Sequence, residues 1–146
     1  MDLTTMDIRI GAVEADRIGP VLKEEVARHV VSLTEPSLRT EQVEQTAYQA
    51  MIGLLESNQP FHAWTVAQAT RGILHGFVQA GYDISYVAPL AAAAISKAIS
   101  RAYTLSVQAQ KGIRAGIQMA VHDLGLERLL DVQVLELPKM YQETTM

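Results

Sequence analysis

The chain has 146 residues, enough for one domain of ordinary size. It contains no cysteine, which excludes disulfides, thiolate nucleophiles and cysteine-ligated metal centres. Charged residues make up only 19% of the chain and its net charge is −4, which argues against nucleic-acid binding. The N-terminus lacks the basic and apolar regions of a secretory signal, and no run is apolar enough to be transmembrane, so we expect a cytoplasmic protein.

Both ends of the chain alternate between apolar and polar residues. Residues 7–13 and 131–137 show this alternation together with β-branched side chains, which predicts a short β-strand in each. Two strands alone are marginal in water, so the alternative of extended tails that only pack on the domain is left open. We expect residues 138–146 to form a flexible tail.

The chain between these ends has the apolar spacing of helices. Gly19-Pro20 opens the first predicted helix, and the second carries a one-face apolar stripe over 43–55. The third runs from about Pro60 to Ala80 and ends at Gly81, since glycine favours the position after a helix.

The fourth predicted helix is unusually long. One apolar stripe, which includes Ile95, Ile99, Ile113 and Ile117, keeps its phase over 88–124. A single helix of that length would extend beyond a small domain and contact a partner subunit. The alternative is a bend in the helix near 106–110. The predicted fold is mainly α: one helical domain over 1–146, a four-helix antiparallel bundle with one long C-terminal helix and short β-strands at both termini.

A weak internal repeat lies within the third and fourth predicted helices. Residues 68–80 align with 108–120, and each copy holds a Gly-x-x-x-Gly pair: Gly72 with Gly76, and Gly112 with Gly116. Such pairs let another helix backbone approach closely. We expect these glycines and the four isoleucines of the stripe to form helix-packing or oligomer interfaces. A chance match through shared small residues is the alternative.

The sequence has no catalytic or metal-ligating constellation that we can defend. No two of its four histidines have the spacing that puts both on one helix face, and no nucleophile elbow or phosphate-binding loop is present. We therefore expect no metal and no cofactor. The nearest approach to a ligand site is Arg71 with His75, one helical turn apart and in the same helix as Trp64. The alternative is an amphipathic rim that packs on a neighbouring helix.

Three basic residues, Lys97, Arg101 and Lys111, share a second stripe of the predicted long helix. We interpret this stripe first as a solvated face and second as a docking face for an acidic partner. The acidic first helices, within the molecule or in the next subunit, are one such partner.

Composition and helix pattern together favour a non-catalytic helical protein that acts through homo-oligomerisation and protein–protein interaction. The alternative is a protein that binds an apolar ligand or a lipid or granule surface, because residues 57–96 hold only two charged side chains, Arg71 and Asp83. In its alanine-rich composition the chain resembles phasins, the granule-coating proteins of polyester-storing bacteria, which implies a bacterial origin. A second alternative is an enzyme or small-anion site around Arg71 and His75, although an enzyme is not our expectation.

Overall fold

The computed structural model describes residues 10–32, 40–57, 62–102 and 107–125. In these ranges the chain forms five α-helices and a short 3-10 turn, Ala15–Arg17, with no strand. The helices are α1 (Ile18–Ser32), α2 (Thr40–Ser57), α3 (Ala63–Gln79), α4 (Ile84–Ala102) and α5 (Val107–Asp123). The prediction of a mainly helical fold is confirmed, and the helices pack as a bundle. The predicted strand over 131–137, the tail over 138–146 and residues 7–9 of the first predicted strand lie outside the described residues.

The turn between α3 and α4 reverses the chain within four residues. Gly81 has a φ of +103°, a left-handed conformation that glycine adopts without steric cost. Asp83 then caps α4: its carboxylate accepts hydrogen bonds from the Ser85 amide at 3.1 Å and the Ser85 hydroxyl at 2.9 Å. The short turn leaves α3 and α4 packed on each other as an αα-hairpin.

The helices α1 and α3 lie side by side and run in the same direction. Gly72 stands against the backbone of Gly19, and one turn later Gly76 stands against the carbonyl oxygen of Lys23. Since both residue numbers rise together along the contact, the two helices are parallel.

The helices α3 and α5 repeat this arrangement on the other side of α3. A Cβ on Gly112 would lie 2.5 Å from the Ala63 carbonyl oxygen, and one on Gly116 would lie 2.5 Å from that of Ala67. The three helices α1, α3 and α5 therefore form one parallel layer with α3 in the middle.

The helices α2 and α4 form a second layer. The Arg101 guanidinium donates to the Tyr48 hydroxyl at 3.1 Å, and the hydroxyl groups of Thr40 and Tyr86 lie 3.3 Å apart near the other end of the pair. These contacts show that α2 and α4 also run parallel. The fold is thus a two-layer stack in which each helix packs against the helix two places along the chain.

The prediction of one long helix over 88–124 is wrong. The helix α4 ends at Ala102 and packs on α2, whereas α5 begins at Val107, packs on α3 and runs parallel to it. Because α3 and α4 form a hairpin, α5 runs back against the direction of α4. The described part of the chain therefore holds five helices rather than the predicted four.

The packing of α3 explains the low charge of its own part of residues 57–96. It is covered by α1 on one side, by α5 on the other and by α4 from the second layer. Ten of its residues are buried, and Phe77, Ile73 and Leu74 are among the largest fully buried side chains. A helix that is covered on three sides has little room for charged residues. Its own chain supplies this cover.

Candidate functional site

The candidate site around Arg71 and His75 contains a third residue, Asp123, which comes from the last turn of α5. The Arg71 guanidinium donates two hydrogen bonds to the Asp123 carboxylate, at 2.6 and 2.9 Å. His75 Nε2 lies 2.9 Å from the same carboxylate, although the ring N–H is not aligned well enough for a hydrogen bond. We call these three side chains the Arg71 cluster.

Burial and charge shift both titratable groups of the cluster. Burial lowers the pKa of His75 and outweighs the neighbouring Asp123 carboxylate, which raises it; nearby Lys23 and Arg71 lower it further. The hydrogen bonds from Arg71 lower the pKa of Asp123 despite its partial burial. At neutral pH the cluster therefore holds a neutral imidazole beside a compensated Arg–Asp pair. The cluster therefore links α3 to the last turn of α5 through the Arg71–Asp123 hydrogen bonds.

Trp64 does not join this cluster. It lies two helical turns before Arg71, about 10 Å along the axis of α3, and its side chain is 52% exposed. Of the three predicted ligand-binding residues, the fold brings Arg71 and His75 together on Asp123 and leaves Trp64 apart.

The predicted interface residues lie inside the chain's own core and helix contacts. All four glycines of the Gly-x-x-x-Gly pairs face a neighbouring helix: Gly72 and Gly76 face α1, and Gly112 and Gly116 face α3. The isoleucines at 95, 99, 113 and 117 are all fully buried. These eight residues are occupied by intramolecular packing, and a role for them between subunits stays a prediction.

A second candidate site, which sequence reasoning did not assemble, is a groove between α2 and α4. Its volume is about 390 Å³. The wall from α2 carries two acids, Glu41 and Glu44, and the wall from α4 carries two bases, Lys97 and Arg101. We call it the α2–α4 groove. Small residues, Ala93 and Ala94, line the α4 side, and their short side chains leave the space open.

The basic stripe predicted on the long helix is divided between two helices. Lys97 and Arg101 line the α2–α4 groove, whereas Lys111 lies on α5 in the other layer. The basic stripe and the acidic character of the first helices were both visible in the sequence. The helical periodicity of α2 and α4 is also visible in the sequence. Which acids and bases come to line one groove, however, depends on the parallel packing of these two helices.

The described residues contain no group of three or more histidine, aspartate or glutamate side chains placed to hold a metal ion. None of the described helices is both long and apolar enough to cross a membrane. Comparison with known proteins finds no matching family model, no matching curated protein and no matching solved structure.

Proposed function

We propose that this chain is a non-catalytic helical protein that acts by associating with further copies of itself. The observation that carries the proposal is a pair of exposed charges of opposite sign, unpaired within the described residues: Glu24 on α1 and Lys111 on α5, the two outer helices of the three-helix layer. Each packs on α3 with one side, and among the described residues no helix of the same layer covers its other side.

Glu24 is the unpaired acid on the exposed side of α1, in the part of the chain that the structure describes. Arg28 on the same helix is paired with Glu25, whereas Glu24 forms no ion pair within the described residues. Just before α1, the exposed Glu14, Asp16 and Arg17 add two negative charges and one positive charge.

The outer side of α5 is basic. It carries Lys111, which is exposed, and Arg114, while the only acid of the helix, Asp123, is held by Arg71. Neither Lys111 nor Arg114 forms an ion pair within the part of the chain that the structure describes. Lys111 of one copy thus complements Glu24 of another.

Such contacts are heterologous, because they join two different surfaces. Heterologous association closes into a ring or continues as a filament, depending on the rotation between copies. Exposed charges steer and orient association more than they strengthen it, and salt screens them. We therefore expect an assembly that weakens as ionic strength rises.

Sedimentation velocity over a range of protein and salt concentrations tests the proposal. Lys111→Glu or Glu24→Lys alone should shift the chain toward the monomer at low salt, and the two together should restore assembly. Glu56→Lys is the matched control, because Glu56 is an exposed acid on α2, in the other layer. A monomer at every concentration in low salt, or an assembly indifferent to both charge reversals, overturns the proposal.

The alternative of an apolar or lipid ligand gains no support from the described surface. Its exposed large apolar side chains are Val31, Trp64, Tyr86 and Val107, each on a different helix. Apolar residues scattered in this way are ordinary for a protein surface. The alternative of an anion site or enzyme is weakened by Asp123, which already compensates Arg71.

A further inference from the structure

We propose that the α2–α4 groove binds a short zwitterionic peptide of two to three residues, with its free ammonium at the end that holds Glu41 and its free carboxylate at the end that holds Arg101. This site is separate from the outer faces of α1 and α5 that the proposed function uses. Three features of the groove support this site: the order of its charges, their lack of ion-pair partners among the described residues, and its size.

The charges are ordered along the groove. The Thr40–Tyr86 and Tyr48–Arg101 contacts show that α2 and α4 run parallel. Glu41 and Glu44 lie near the start of α2, whereas Lys97 and Arg101 lie near the end of α4. One end of the groove is therefore negative, and the other end is positive.

These charges face each other without pairing. Within the described residues, neither Glu41 nor Glu44 forms an ion pair with Lys97 or Arg101. Arg101 donates one N–H to the neutral Tyr48 hydroxyl. The other N–H groups of its planar guanidinium can donate to a carboxylate. A ligand that carries both charges would satisfy both walls at once.

The charge pattern selects the class of ligand. A simple anion would meet the repulsion of Glu41 and Glu44, and a simple cation would meet that of Lys97 and Arg101. A zwitterion can place each of its charges beside residues of opposite sign and so avoids both repulsions. Salt screens exposed charges such as these, so the binding should weaken at high ionic strength.

The dimensions favour a peptide over a single amino acid. A volume of about 390 Å³ lies within the usual range for small-ligand sites. The groove axis from Glu41 to the level of Arg101 covers at least seven residues of helix, about 10 Å or more. An extended chain spans about 3.3–3.6 Å per residue, so a peptide of about three residues is needed to approach both ends, which a single amino acid cannot do.

Calorimetric titration with triglycine tests the inference, with three capped forms as comparators. N-acetyl-triglycine lacks the ammonium, triglycine amide lacks the carboxylate, and N-acetyl-triglycine amide lacks both. We expect triglycine to bind and each single cap to weaken binding at least tenfold. No binding of triglycine at millimolar concentration, or equal binding of a capped form, overturns the inference.

Substitutions of residues that line the groove test whether triglycine binds there. Ala93→Leu should block it sterically, and Glu44→Gln and Arg101→Gln should each weaken triglycine binding at least tenfold. Glu56→Gln removes an exposed charge of α2 that does not line the groove and should leave binding unchanged. Thermal unfolding of each variant separates a lost site from a lost fold. Unchanged binding by a folded Ala93→Leu variant would also overturn the inference, whatever the outcome of the self-association test.

Discussion

The carbonyl oxygen of Ala67 stands where a side chain on Gly116 would have to be, 2.5 Å from the position of its Cβ. The same relationship holds between Gly112 and Ala63, and Gly76 has the Lys23 carbonyl oxygen at 2.8 Å. Both helix contacts of the three-helix layer, α1 with α3 and α3 with α5, thus have backbone as an obstacle. Backbone cannot rotate away as a flexible side chain can, so the glycines set the separation of these helices.

Replacing Gly116 with alanine should destabilise the protein despite the better helix propensity of alanine. The propensity gain is about 1 kcal/mol, whereas overpacking costs about 1–3 kcal/mol and more where backbone must move. We expect the free energy of unfolding to fall by about 2 kcal/mol, measured by urea denaturation. Gly11→Ala is the control, because nothing lies within 4 Å of its Cβ, and it should change stability by less than about 0.5 kcal/mol. Equal stability of the two variants would contradict the packing role of Gly116.

Removing the charge of Asp123 should loosen the end of α5. In Asp123→Asn the Arg71 guanidinium loses its ionic partner, and because the two side chains are 35% and 22% exposed, solvent screening limits the loss to about 1 kcal/mol. Glu25→Gln breaks an exposed pair with Arg28 within one helix and should cost at most about 0.5 kcal/mol. Chemical denaturation compares the two variants, and hydrogen exchange of the α5 amides shows where Asp123→Asn acts. An α5 that exchanges no faster in Asp123→Asn would refute the fastening role.

Stability should fall in two stages as the solution becomes acidic. The folded chain holds the pKa of His75 below its ordinary 6.5, so on acidification the unfolded chain takes up a proton first and gains stability relative to the folded one. The stabilisation present above pH 6.5 is therefore lost as the pH falls through that value toward the folded pKa. Asp123 adds a second loss as the pH falls through 3.8 and below, since its folded pKa is also lowered.

Unfolding experiments as a function of pH distinguish the two groups. His75→Gln should remove the first stage and leave the second, while Asp123→Asn should diminish the second. His62→Gln is the matched control, because His62 is exposed at the start of α3. A first stage that persists in His75→Gln would assign it to another group.

Two aromatic residues of α3 should respond very differently to truncation. Phe77 is fully buried between the layers, so Phe77→Ala should cost about 3–5 kcal/mol through lost burial and a cavity. Trp64 is half exposed, so Trp64→Ala should cost about 1 kcal/mol or less. Thermal denaturation by circular dichroism measures both. A large loss in Trp64→Ala would mean that this side chain is covered in the assembled protein.

The ends of α3 were predictable because their signals are local. The third helix was expected from about Pro60 to Ala80 and is observed from Ala63 to Gln79, followed by Gly81 in the left-handed conformation. Glycine chemistry and apolar spacing depend on neighbours along the chain, which is what a sequence displays.

The break between α4 and α5 was hidden by a coincidence of phase. Ile95 and Ile113 are separated by five full turns of an ideal helix, as are Ile99 and Ile117. Each pair belongs to its own helix and faces its own neighbours, yet together they imitate one continuous stripe. Phase alone cannot distinguish one long helix from two helices whose buried faces are in register.

The partners in both candidate sites were beyond sequence reasoning for a different reason. Arg71 and Asp123 are far apart in the chain, and so are Glu44 and Lys97. Bringing each pair to one site depends on the parallel packing of alternate helices. Among α1, α3 and α5 that packing depends on which carbonyl each glycine admits, a relationship no local pattern encodes.

The central position of α3 has a consequence for how the protein opens. The helices α1 and α5 both rest on α3 and are separated by it, so either can detach while the other stays in place. The amides of α3 lose protection only when the whole structure unfolds, and their exchange should report the global free energy of unfolding. The outer helices would then be the labile units of the molecule, and the same two helices carry the charges proposed to join one copy to the next.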